Sequence, residues 1–282
     1  MNYPSDYIFL PKRDDTFYLD LTKFKNKKVL FVFGDSWTNN LYIKNPYHHW
    51  GYLLKCKLNY DILINISSDY DSNYEIFDAI KYVFCQEEFP LQINEELNEL
   101  DEYKVVIEWS TPMRDSTSVA EMYKPYNLAT IPDLKSNEPN TKLWMDYVTN
   151  WFRTEIYSYD TQKRILFLQH FFNIHNIDWY SFMGFTPLVE KEFNNSQYDF
   201  RKWIDSSRFL FLNGFPNNMQ DYLIQQKDPS FNDYIGISEM QFENNRSKYF
   251  RNDDEMFTGD GHPNILGLEI MSNKIYDLII NK

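Results

Sequence analysis

Cysteine is nearly absent from this 282-residue chain: Cys56 and Cys85 are the two present. They stand outside any paired metal-type spacing, so free, buried thiols are expected rather than a zinc site or a disulfide framework. Positive charge is also short, with 28 basic against 41 acidic residues and a formal net charge of −13. A surface of that sign disfavours nonspecific binding to nucleic acid or anionic membrane. No apolar run approaches the ~20 residues of a membrane-spanning helix. Met1–Asp6 lacks the basic-then-apolar order of a secretory signal. No low-complexity linker or repeat divides the chain. The expectation is a protein without nucleic-acid or membrane partners, cytoplasmic or virion-associated. The hint of a virion comes from composition alone: 22 Tyr and 23 Phe, with many Asn, Ile and Lys, suit an AT-rich genome such as those of many viruses.

What is present is a short buried run, Val29-Leu30-Phe31-Val32-Phe33, closed by Gly34-Asp35-Ser36. Five consecutive apolar residues stopped by glycine read as a strand covered on both faces, as in a parallel sheet. Ser36 then lies just past the carboxyl end of the strand, where open α/β sheets bind their ligands. There its hydroxyl is a candidate nucleophile and its backbone N–H a candidate oxyanion donor. Taken alone, Gly-Asp-Ser is equally a turn with a serine helix cap. At the other end, Thr258-Gly259-Asp260-Gly261-His262-Pro263-Asn264 precedes a helical pattern running to the terminus. An acid and a histidine just before a last helix supply a base and a group to orient it.

Between these ends, strands are expected at Ile62–Ile66, Val105–Trp109, Ile165–Gln169 and Arg208–Leu212, with an edge strand near Thr16–Leu19. Helices are expected at Trp50–Leu58, Tyr74–Phe84 and Thr141–Tyr159, and from Asn264 onward. Pro125, Pro132 and Pro139 mark a long loop or lid. His48 and His49 are adjacent, with no third ligand nearby, which favours a loop or helix-entry role over metal binding. His170 stands at the end of the expected fourth strand, where it could border the cleft, but a structural histidine is the favoured reading. The fold class is α/β: a three-layer α/β/α sandwich with a parallel, flavodoxin-like sheet of about five strands. Residues 1–26 form an arm, and residues 27–282 one domain with insertions around 115–140 and 176–255.

The two end motifs together resemble the SGNH/GDSL hydrolase superfamily. The resemblance implies a triad of Ser36, His262 and Asp260, with no cofactor and no metal. Asp260-Gly261-His262 is one residue shorter than the family's commonest Asp-x-x-His spacing. Asp253 or Asp254 is therefore an alternative orienter, and a Ser–His dyad a further one. The family's second block, whose glycine N–H serves the oxyanion hole, falls on Asp71-Ser72-Asn73, where Tyr70 and Asp71 replace that glycine; an N–H from Asp69 to Ser72 could still serve, and Ser72 or Asp71 also reads as a helix cap. The third block falls on Ser110-Thr111-Pro112-Met113-Arg114, which lacks the family's asparagine. Ser110 or Thr111 could donate through a hydroxyl, and Arg114 could add positive charge.

Three functions remain open. The first is an esterase removing O-acetyl or similar acyl groups from a carbohydrate, its substrate a small-molecule or polysaccharide ester. The second is an O-acyltransferase using the same triad. The third is a structural or binding module with virion assembly partners and weak or no catalysis.

Overall fold

The structure, a computed structural model, describes residues 3–10, 19–39, 45–67, 72–85, 92–110, 154–185, 188, 199–231, 249, 253–259 and 261–281. Six strands form a single sheet: β1 (Tyr7–Leu10), β2 (Lys28–Gly34), β3 (Ile62–Ser67), β4 (Glu102–Trp109), β5 (Asp178–Met183) and β6 (Phe209–Leu210). Every pairing is parallel, in the order β1-β3-β2-β4-β5-β6. Among the described residues five α-helices accompany it: α1 (Trp50–Leu58), α2 (Asn73–Phe84), α3 (Thr154–Ile174), α4 (Met219–Lys227) and α5 (Ile265–Ile280).

The period of two along each strand sorts the core into two halves. Val29, Phe31 and Phe33 of β2 point to one side, with Val105, Ile107 and Trp109 of β4. They pack on Ile76, Ile80 and Val83 of α2 and on Ile165, Leu168 and Phe172 of α3. Leu30 and Val32 point to the other side, with Val106, Tyr180 and Phe182. They meet Trp50 and Leu54 of α1, Met219 and Leu223 of α4, and Leu268, Met271 and Ile275 of α5. The result is a three-layer α/β/α sandwich. Apart from β1, the strand order is the flavodoxin-like one, so the chain reverses direction across the sheet between β2 and β4.

Two elements differ from the expectation. Ile165–Gln169 is not a strand but part of α3. The apolar run there follows a helical stripe: Ile165, Leu168 and Phe172 are buried, whereas Phe167 is 41% exposed. His170 is accordingly an exposed helical residue, away from any strand end. The strand that takes this place is β5, inside the stretch expected to be an insertion, together with β6 and α4. An edge strand does begin the sheet, but at Tyr7–Leu10; residues 16–18, part of the expected one, lie outside the described residues. Of the expected helix Thr141–Tyr159, residues 154–159 are described and open α3. Cys56 is exposed on α1 rather than buried, and Cys85 is half-buried; both thiols are free.

Candidate active site

The site is built where three parallel strands end side by side. At the end of β2, Asp35 opens one turn of chain: the Thr38 and Asn39 N–H groups donate to the Asp35 carbonyl at 3.1 and 2.8 Å. The Asp35 carboxylate accepts the Trp37 N–H at 3.0 Å. Ser36 rides on this turn, 4% exposed, and its Oγ has no hydrogen-bond partner. Its N–H is likewise uncommitted to any described residue, as an oxyanion donor must be.

Thr38 is held from two sides. Its hydroxyl donates to Glu108 Oε2 at 2.7 Å. Its carbonyl accepts from Asn65 Nδ2 on β3 at 2.8 Å and lies 2.8 Å from His49 Nε2. Because His49 Nδ1 accepts the Gly51 N–H at 3.1 Å, Nε2 carries the proton and donates. His49 is fully buried and is the N-cap of α1. Burial pushes its imidazole down to about 4, against the opposing pull of the Thr38 carbonyl, so the ring is neutral at pH 7. His49 thus serves helix entry and turn support; His48 lies in the short 3₁₀ turn before it.

At the start of α2, Ser72 forms a capping box with Glu75, accepting the Glu75 N–H and donating its own N–H to the Glu75 carboxylate at 2.6 Å. Ser72 N–H is therefore committed to the helix. Asn73, fully inside, donates to the Ser110 carbonyl at 3.0 Å and to Thr161 Oγ1 at 3.1 Å. This ties the start of α2 to the end of β4 and to α3. Asn73 Oδ1 and Ser110 Oγ are both buried without a hydrogen-bond partner. Together with Ser36 Oγ, they leave three orphaned polar atoms at the ends of β2 and β4 and the start of α2, where a polar ligand can offset their desolvation.

His262 arrives from the far end of the chain. The loop before it is a tight turn. Thr258 N–H donates to the His262 carbonyl at 2.8 Å, Gly261 N–H donates to the Thr258 carbonyl at 2.9 Å, and Phe257 bridges Pro263. Gly261 has φ +86°, a left-handed conformation that glycine adopts without strain. α5 then docks this loop closely: a Cβ on Gly267 would lie 2.5 Å from the Met256 carbonyl oxygen. Phe185, just past β5, is the common neighbour. Its ring meets Trp37 edge-on at 4.7 Å and His262 edge-on at 6.5 Å. One phenyl ring therefore separates His262 from the residue next to Ser36. Asp260, Asp71, Thr111 and Arg114 lie outside the described residues. Of the alternative acids, Asp253 accepts the Gly259 N–H at 2.6 Å, and Asp254 caps Met256 and Phe257 N–H and pairs with Lys227. Asp253 is used within the loop, and Asp254 within the loop and against the end of α4. No group of three or more potential metal ligands occurs among the described residues.

Sequence reasoning missed Glu108. It sits fully buried on β4, its Oε2 3.2 Å from the Asp35 N and bonded to Thr38. Burial first, then the adjacent Asp35 carboxyl, raises its pKa well above the ordinary carboxylate range. The available signal was an acid inside the apolar stretch Val105–Trp109.

No family model matches this chain, and no curated protein does. Solved structures similar to it include three at 12–14% identity. One is described as a lipolytic protein of the G-D-S-L family from Desulfitobacterium hafniense, at 13% identity, covering 90% of this chain and 99% of that one with a TM-score of 0.43. A second, from Veillonella parvula and described in the same terms, is 12% identical over 90% and 97% of the two chains, with a TM-score of 0.35. An acetyl xylan esterase is 14% identical over 90% and 100%, with a TM-score of 0.36.

Proposed function

We propose that this chain is a serine-dependent ester hydrolase of the SGNH/GDSL type, with Ser36 as nucleophile and His262 as base. The observation that carries the reading is the ring contact sequence Trp37–Phe185–His262, which joins the two ends of the chain beside the uncommitted Ser36 hydroxyl. In this scheme His262 takes the Ser36 Oγ proton as Oγ bonds to the acyl carbon. The carbonyl oxygen becomes an oxyanion, held by the Ser36 N–H and by the Ser110 hydroxyl at the end of β4. Collapse breaks the ester bond, and the alcohol leaves with the proton from His262. Water then attacks the acyl-Ser36 carbonyl, again through His262, and releases the acid. Asp260, two residues before His262, is the proposed orienter of the ring.

The proposed substrate is an O-acetyl or similarly small acyl ester on a carbohydrate, following the resemblance of the two end motifs. The test is turnover of a chromogenic acetyl ester and acetate release from an acetylated oligosaccharide. Both should be lost in Ser36→Ala and His262→Ala proteins that remain folded. Acetate appearing on an added sugar acceptor, in place of free acetate, would redirect the reading to acyl transfer.

A further inference from the structure

The hydrolytic scheme leaves Glu108 unused, yet the fold makes unusual room for it. A Cβ on Gly34 would lie 2.4 Å from Glu108 Oε2, and one on Gly184 would lie 2.3 Å from Oε1. The carboxyl group thus fills the space that two glycines leave, one at the end of β2 and one just past β5. Oε2 accepts the Asp35 N–H and the Thr38 hydroxyl, the two ends of the turn that carries Ser36. We propose that Glu108 is the positioning residue of this turn, locking Ser36 against the end of β4, and that it does so as a neutral acid.

The proposal rests on the reading of Ser36 as nucleophile. The protonation state follows from what surrounds the group. From β2 it faces the Asp35 carboxyl, with which it shares a hydrogen bond, and the Thr38 hydroxyl. From β5 it faces Gly184, which has no side chain. Behind Thr38 stands His49, which is neutral. No lysine or arginine among the described residues forms an ion pair with Glu108. Oε1 is buried and accepts no hydrogen bond. Two ionised carboxylates in contact, without a cation, cannot both persist in such a site. Glu108 therefore carries a proton.

Glutamine reproduces that neutral form: its amide oxygen can accept both hydrogen bonds, and its amide nitrogen can donate to Asp35. The experiment compares the full-length parent with Glu108→Gln and Glu108→Ala. Readouts are kcat and KM across pH for the acetyl ester, and amide deuterium exchange of the peptide spanning residues 34–39. Glu108→Gln should keep the parent's kcat and exchange protection. It should also lack the alkaline decline that the parent shows once Glu108 ionises. Glu108→Ala should lower kcat by about 10²-fold with little change in KM, because the nucleophile is misplaced rather than the substrate unbound, and should expose the turn to exchange. A Glu108→Gln protein as impaired as Glu108→Ala, or with the parent's alkaline decline intact, overturns the neutral-acid lock. So does a Glu108→Ala protein with parental kcat and protection. Should Glu108→Ala not fold, the glutamine variant still decides. A parent that hydrolyses no ester defeats the nucleophile reading, while the exchange comparison still decides whether Glu108 holds the turn.

Discussion

A methyl group at position 184 measures how firmly Glu108 is held. The three atoms nearest a Cβ on Gly184 all belong to Glu108: Oε1 at 2.3 Å, Cδ at 3.3 Å and Cγ at 3.5 Å. Non-bonded heavy atoms settle at roughly 3.5 Å, so Oε1 would have to retreat by about 1 Å. A flexible, exposed glutamate would do this at almost no cost. A buried one whose other oxygen is bonded to Asp35 and Thr38 cannot, because the same motion stretches both bonds. Overpacking of this kind costs about 1–3 kcal/mol. That corresponds to a fall in Tm of roughly 2–6 °C for a chain of this size. In a Glu108→Ala background the obstructing atoms are gone, and Gly184→Ala should cost nearly nothing. Any gain from restricting the unfolded glycine is common to both backgrounds and cancels in the cycle. Urea or thermal unfolding of the four proteins should therefore give a coupling of about 1–3 kcal/mol. A cost below about 0.5 kcal/mol in the parent, or equal costs in both backgrounds, would refute the lock.

Acid should weaken the fold through His49. Its folded value near 4 is below the ordinary 6.5, so its contribution is complete above pH 6.5 and lost as pH falls through 4. The loss amounts to roughly 3 kcal/mol, and a pH series of urea midpoints should flatten in this window in His49→Gln. Ser110→Ala should reduce ester turnover by ~10²-fold if its orphaned hydroxyl serves the oxyanion, with KM as the control. Gly267→Ala drives a Cβ to 2.5 Å from the Met256 backbone oxygen. It should destabilise by ~1–3 kcal/mol and lower turnover by shifting the loop that carries His262, as unfolding and kinetic assays of the same protein would report.

The central strands were legible because each is a continuous apolar run bounded by turn residues, as Val29–Phe33 and Ile62–Ile66 are. The last helix was legible from its stripe, Leu268, Met271 and Ile275. β5 was obscured because Asp178 and Ser181 interrupt its apolar sequence, although Ser181 is buried and accepts the Trp109 indole N–H at 2.6 Å. Ile165–Gln169 misled because four apolar neighbours fit a buried strand and a helix equally well; only the burial of Leu168 and Phe172 against the exposure of Phe167 decides it. In the site, strand ends located Ser36 and Ser110. What sequence could not reveal was that Asn65, His49 and Glu108, distant in the chain, all converge on Thr38. Such convergence depends on strand order, which local pattern does not specify. Glu108 was hidden further because a charged residue in a strand reads as an exposed face unless its neighbours on both sides are known to be covered.

In the proposed scheme Ser36 is an activated nucleophile. The direct measurement is exposure of the folded protein to a fluorophosphonate, followed by mass spectrometry of the peptide containing Ser36. The account predicts a single phosphonyl adduct on Ser36 in the parent, none in Ser36→Ala, and strongly slowed labelling in His262→Ala. A folded parent that takes up no label at Ser36, under conditions that label a known serine esterase, would contradict it.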